Sequence, residues 1–278
     1  MGLKAVPKAP TPRVGRLTGM GPVRSALLLL AMAACACGLW AQDPCVECHA
    51  AQELEETEEF HLRQWRNSAH AAAGVSCANC HGGNTSTFVK LRAHKGVLNS
   101  AHRDSPTNHW NLPQTCGRCH DAEYRALQQS AHFALLERRI HAAPTCRTCH
   151  GSVAAQSLGV EGGLQARCNR CHGPDADHEV VGFPGEEGQE ALARGGRNLA
   201  RLRSLGRQRS EVSRAILRLR DPSKRHEAAD ALYAINAHWD EAIEAGHAFH
   251  WGDWESALDA MESAIGELRS AMEAGGDR

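Results

Sequence analysis

Cys116-Gly117-Arg118-Cys119-His120, with Ser130-Ala131-His132 ten residues further on, is the stretch from which the rest of the chain is read. Cysteines at i and i+3 stand about one helical turn apart, and the histidine beside the second projects from the same short turn. The five-residue pattern recurs at Cys45-Val46-Glu47-Cys48-His49, Cys77-Ala78-Asn79-Cys80-His81, Cys146-Arg147-Thr148-Cys149-His150 and Cys168-Asn169-Arg170-Cys171-His172. This spacing serves c-type haem attachment: two thioether bonds hold one edge of a porphyrin, and the histidine meets the iron from one face. Zinc knuckles and local disulfides also use Cys-x-x-Cys pairs. Neither accounts for the five adjacent histidines, and zinc needs its knuckles in twos, whereas five is odd.

The pattern therefore predicts haem c, five per chain. The attachment points are Cys45, Cys48, Cys77, Cys80, Cys116, Cys119, Cys146, Cys149, Cys168 and Cys171, and the proximal axial ligands are His49, His81, His120, His150 and His172. Only 5% of the 278 residues are aromatic, so the chain needs another source of buried surface, which haem supplies. Residues 45–178 form a sphere of about 18 Å radius if compact, which puts five irons on the order of 17 Å apart. Such spacing supports electron tunnelling from haem to haem.

The chain begins with a segment holding Lys4, Lys8, Arg13, Arg16 and Arg24 and no acid, followed by an apolar run from Ala26 to Trp40. That run falls short of the roughly 20 residues of a spanning helix, so residues 1–41 are read as a signal peptide cleaved after Ala41. Ala33-Ala34-Cys35 offers a second processing site, with a lipid anchor on Cys35. Cleavage after Ala41 removes five positive charges and no negative ones, taking the formal charge from −1 to −6. Nucleic acid is therefore excluded as a partner, and the expected location is the periplasm or cell envelope.

Each iron has a second axial position, and the tripeptide Ser-Ala-His recurs at Ser68-Ala69-His70, Ser100-Ala101-His102 and Ser130-Ala131-His132. Cys45 to His70 and Cys77 to His102 both span 25 residues; His102 to Cys116 and His132 to Cys146 both span 14. These intervals suggest duplicated units of haem plus ligand. The candidate distal ligands are His70, His94, His102, His132 and His178, with His61 and His141 behind them. Were one iron to lack its second imidazole, that haem would become a candidate catalytic centre.

Gln64-Trp65-Arg66-Asn67-Ser68-Ala69-His70, followed by Gly74-Val75-Ser76-Cys77 and His81-Gly82-Gly83, resembles the multihaem class that includes hydroxylamine oxidoreductase, its four-haem electron acceptor and ammonia-forming nitrite reductase. Leu91-Arg92-Ala93-His94-Lys95-Gly96 is similar to a segment of the same class, where the resemblance implies that the His is a ligand. All five motifs end in His, whereas the nitrite reductases carry Lys in the catalytic motif. The crosslinked tyrosine of hydroxylamine oxidoreductase has no assignable counterpart among Tyr124 and Tyr233. Both departures argue against those two activities.

Cysteine stops at Cys171, and beyond Gly182–Gly188 the composition turns to Ala, Leu, Arg and Glu. Leu199, Leu202, Val212, Ile216 and Leu219 recur at near-helical spacing, and Asp221-Pro222 supplies an N-cap and a first-turn proline for a second helix. There Leu232, Ile235, Trp239, Ile243 and His250 share a face. Trp254, Leu258, Met261, Ile265, Leu268 and Met272 then form the packing seam of a third helix.

Three antiparallel helices, 190–220, 222–250 and 253–274, are expected, and long terminal helices on a haem core also recur in the resembling class. The histidines of Gly246-His247-Ala248-Phe249-His250-Trp251 are read first as helix-end residues and second as a distal ligand or a group over an open haem.

The expected fold class is mainly α with much irregular loop: a signal peptide (1–41), a pentahaem cytochrome c domain (42–185) and a helical carboxy-terminal region (186–278). The expected function is single-electron transfer in a respiratory chain between redox partner proteins, a quinol-linked donor and a terminal reductase. The alternative is an oxidoreductase of nitrite, hydroxylamine or tetrathionate at one five-coordinate haem.

Overall fold

The structure, a computed structural model, describes residues 43–52, 56–154, 162–173 and 185–274, and these are helical with no strand among them. The leader and His178 lie outside the described residues. Among the described residues, ten short helices come first: α1 (Pro44–Ala50), α2 (Glu56–Arg66), α3 (Ala69–Ala72), α4 (Cys77–His81), α5 (Lys90–Ala93), α6 (Leu112–Cys116), α7 (Asp121–Leu127), α8 (Ala131–Glu137), α9 (Cys146–His150) and α10 (Gly163–His172). Three long ones follow: α11 (Gly185–Ile216), α12 (Pro222–Ala248) and α13 (Trp251–Ala274). The expectation of a mainly α chain with much loop is met.

The short helices are held by local polar side chains rather than by an apolar core. In α4 the Asn79 carboxamide accepts the Ser76 N–H at 2.7 Å, and in α9 the Thr148 hydroxyl accepts that of Thr145 at 3.0 Å. The second of the two middle residues in each of these Cys-x-x-Cys motifs thus helps to cap its own turn. Both helices stop at a glycine with positive φ, Gly82 and Gly151, directly after the motif histidine. Two of the three Ser-Ala-His repeats are also caps. Ser68 and Ser130, both buried, accept the amides of Ala71 and Phe133 and so start α3 and α8, which sets His70 and His132 in the first turn.

The third repeat folds differently. Asn99 accepts the Ala101 amide, Ser100 bonds Thr107, and Asn108 and Asn111 donate to the carbonyls of Ser100 and Arg103. These bonds compete with helix formation, and Ser105-Pro106 would end any helix within a turn and a half. His102 is therefore carried on a turn.

Most of the apolar core lies in the long helices. Ile235, Leu258, Met261 and Ile265 are at most 1% exposed, each worth on the order of 1.5–3 kcal/mol of transfer out of water. The predicted seam of α13 is buried from Trp254 to Leu268, with Met272 partly covered. Ala228, Ala242 and Ala257 fill the seam between the larger residues and let the helices approach. Two expectations need correction: α11 ends at Ile216 rather than near 220, and His250 is exposed beside Asp253 instead of sharing the buried face of α12.

Charged pairs tie α11 to α13 at heptad intervals. Arg194 forks onto Glu255, Arg201 onto Asp259 and Glu262, and Arg269 onto Gln208 and Glu211. The rising order on both helices makes them parallel, with α12 running between them. Residues 43–278 form one compact unit. In it α12 packs on α7 and α11 on α10, so the long helices rest directly on the helices that carry or border the motifs.

Candidate haem-binding centres

The motifs neighbour one another in chain order. Asp43 caps α1 through the Cys45 amide at 2.9 Å and accepts the Cys77 amide, also at 2.9 Å, so one carboxylate joins the first two motifs. Cys80 lies within the field of Cys116 and Cys119, Cys116 hydrogen-bonds Cys146, and Cys149 lies in the field of Cys168 and Cys171. Desolvation, aided by Asp43, pushes the Cys77 thiol up to about 12, and desolvation pushes Cys149 up to about 11. Such surroundings suit an uncharged sulfur, as in a thioether, better than the thiolate that zinc demands.

The motif histidines meet second histidines from distant parts of the chain. Ring centroids are 5.9 Å apart for His49 and His94, 6.1 Å for His120 and His70, 5.9 Å for His172 and His132, and 5.9 Å for His150 and His247. The pKa of His81 is lowered by desolvation and then by the charge of His61. Two imidazoles that share a metal, each with a nitrogen about 2 Å from it, bring their centroids about 6 Å apart. The residues present thus fit a haem held at two cysteines and gripped from both faces. Among the described residues, no group of three or more His, Cys, Asp or Glu gathers as a metal cage.

Backbone hydrogen bonds aim several of these rings. The Nδ1 atoms of His70, His94 and His247 lie 2.9, 2.9 and 2.7 Å from the carbonyls of Val153, Lys90 and Ile243. A carbonyl only accepts, so Nδ1 carries the proton and Nε2 keeps its lone pair for a metal. Phe249 covers His132 edge-on at 4.6 Å, and burial together with His172 lowers the His132 pKa to about 4. Phe249 adopts φ +58, a left-handed conformation strained for an aromatic residue.

The structure brings His70, His94 and His132 to motif histidines, but His70 meets His120 and His132 meets His172, so the equal intervals to Cys45 and Cys146 do not mark units of haem plus ligand. His102 lies against Asp104, half exposed, and takes no place in these pairs. His141 sits against Trp110. Sequence reasoning missed Asp43 and Phe249 and placed His61 and His247 behind other candidates; Asp43-Pro44 before the first motif was a legible capping signal.

Residues 99–173, which hold three of the motifs, match the family described as cytochrome c7 and related cytochrome c. The chain is 31% identical over 131 residues to the C-type polyheme cytochrome OmcB of Geobacter sulfurreducens. It is 27% identical over 144 residues to the C-type polyheme cytochrome OmcC of the same organism.

The chain is homologous to multihaem c-type cytochromes.

The two alignments cover 43% and 52% of this chain but 16% and 15% of the relatives, so it spans about a sixth of their length. No solved structure matches. The likeness found falls on cytochrome c7 and polyhaem cytochromes and does not support the narrower resemblance to hydroxylamine oxidoreductase and nitrite reductase. Among the described residues, no helix is long and apolar enough to cross a membrane.

Proposed function

We propose that this cytochrome carries five haems, each attached at one motif and ligated by two histidines, and that it passes single electrons along them in the cell envelope. The observation that carries the reading is the second imidazole ring 5.9–6.1 Å from four of the motif histidines: His94 for His49, His70 for His120, His247 for His150 and His132 for His172, with the charge of His61 felt at His81. Haem iron held by two imidazoles cycles between ferric and ferrous states without an open position for substrate. The chain's own part is to hold the ring pairs and to bring consecutive motifs together. The basic and apolar segment at residues 1–41 supports export, with redox partner proteins, a quinol-linked donor or a terminal reductase, at either end.

An oxidoreductase of small nitrogen or sulfur compounds needs a haem with a vacant face, and the ring pairs at four of the motifs speak against one there. The mass of the purified chain tests the haem number, and its ferric absorption and paramagnetic resonance spectra test the ligands. Five covalent haems, all low-spin, are expected. A high-spin ferric haem would overturn the ligand set, and turnover of nitrite, hydroxylamine or tetrathionate would restore the enzymatic reading.

A further inference from the structure

From Phe60 to Arg103 the chain contains six arginines and lysines and no aspartate or glutamate, although its formal charge is −1. Within this stretch the loop at residues 84–97 folds back on the second motif. Asn84 donates its amide to the Ala93 carbonyl at 2.9 Å, and Gly83, at φ +95, leaves no room for a Cβ, which would stand 2.6 Å from that oxygen. The fold-back presents Phe88, Val89 and Leu91 to solvent at 63, 54 and 87% exposure, interleaved with Lys90, Arg92 and Lys95. Large exposed apolar side chains gathered in one loop mark an interaction site.

The same loop carries His94, whose ring faces His49 of the first motif. Because the motifs neighbour one another in order, the first stands at one end of the series. The fifth, at the other end, lies on a helix that packs against α11. A mere anchoring patch has no reason to sit on the loop that supplies an axial ligand. A surface for electron exchange does, since tunnelling requires the partner to approach the terminal haem.

We infer that the loop around Leu91 is the docking surface for an acidic redox protein, which exchanges electrons with the haem at the first motif. The inference rests on the assignment of His49 and His94 to that haem. Complementary charge would steer encounter, and the apolar side chains would release water on contact. The step moves one electron from the reduced partner to ferric iron, which becomes ferrous; no atom is transferred.

The test uses the full-chain ferric protein and, as probe, a chemically reduced plant-type [2Fe–2S] ferredoxin, a small acidic one-electron donor. Mixed rapidly at low ionic strength, Arg92→Glu/Lys95→Glu is expected to slow reduction about tenfold or more. Leu91→Ser is expected to slow it severalfold, and salt to slow the unaltered protein. Reduction by dithionite and the low-spin spectrum should not change, and the remote pair Arg214→Glu/Arg218→Glu should behave as the unaltered protein.

Equal rates for the loop variants and the parent would overturn the inference. So would an equal fall in the remote variant, or loss in Leu91→Ser only of co-sedimentation with phosphatidylcholine–phosphatidylglycerol vesicles, which would make the loop a membrane contact. A high-spin haem in the unaltered protein would instead strike at the ligand assignment, and it is read from the static spectrum before any mixing.

Discussion

The imidazole of His247, near the end of the 27-residue helix α12, stacks 5.9 Å from that of His150 at an interplanar angle of 18°. A long helix with an ordinary apolar seam thereby becomes part of the fourth centre. His247→Ala should leave about one haem in five high-spin and able to bind carbon monoxide, because a neutral imidazole is lost and alanine offers no ligand. His102→Ala should leave the ferric spectrum unchanged. Optical titration with carbon monoxide on both variants checks the pair.

The ring planes differ between centres: near-perpendicular at 86° for His70 and His120, nearly parallel at 18° for His150 and His247. Parallel planes split the two iron d orbitals they overlap, whereas perpendicular planes leave them close in energy. The frozen ferric protein should therefore show a strongly axial low-spin signal with one large g value beside a rhombic one. His70→Ala should remove the first, and His247→Ala the second.

Asp43 stabilises two amides at the starts of α1 and α4 at once. Asp43→Ala should lower stability by about 1–2 kcal/mol, the cost of an N-cap, and the melting temperature by several degrees in a chain of this size. Asp43→Asn, which keeps an acceptor, should recover part of the loss. Thermal melts of the three proteins decide.

Glu255 has its pKa lowered, first by the hydrogen bond from Arg194. A carboxylate lowered on folding adds stability above its unfolded pKa and loses it as the pH falls through the folded value. Melting temperatures of the parent and Glu255→Gln should thus differ near pH 7 and converge in acid. The gap should be small, since the pair is partly exposed at 36 and 33% and screened by solvent.

The elements legible in the sequence were those with local causes. Helix periodicity marked α12 and α13, Asp221-Pro222 marked a start, and the Leu258–Met261–Ile265 seam is buried as its spacing demands. The Ser-Ala-His repeat was only half informative. Ser68 and Ser130 cap helices, while Ser100 is drawn into a network with Thr107 and Asn108. The tripeptide was the same, and the residues after it decided.

The sequence by itself determined where the five Cys-x-x-Cys-His turns lie, because each is a contact of one turn and needs nothing beyond its own five residues. The partner of each motif histidine was decided only by tertiary structure. His94 follows its motif by 45 residues, His247 follows by 97, and His70 precedes His120 by 50, so no interval repeats. Which second imidazole reaches a motif histidine is decided by which segment packs beside it. For the fourth motif that helix is α12, whose apolar seam, buried against α11 and α13, carries His247 to within reach of His150.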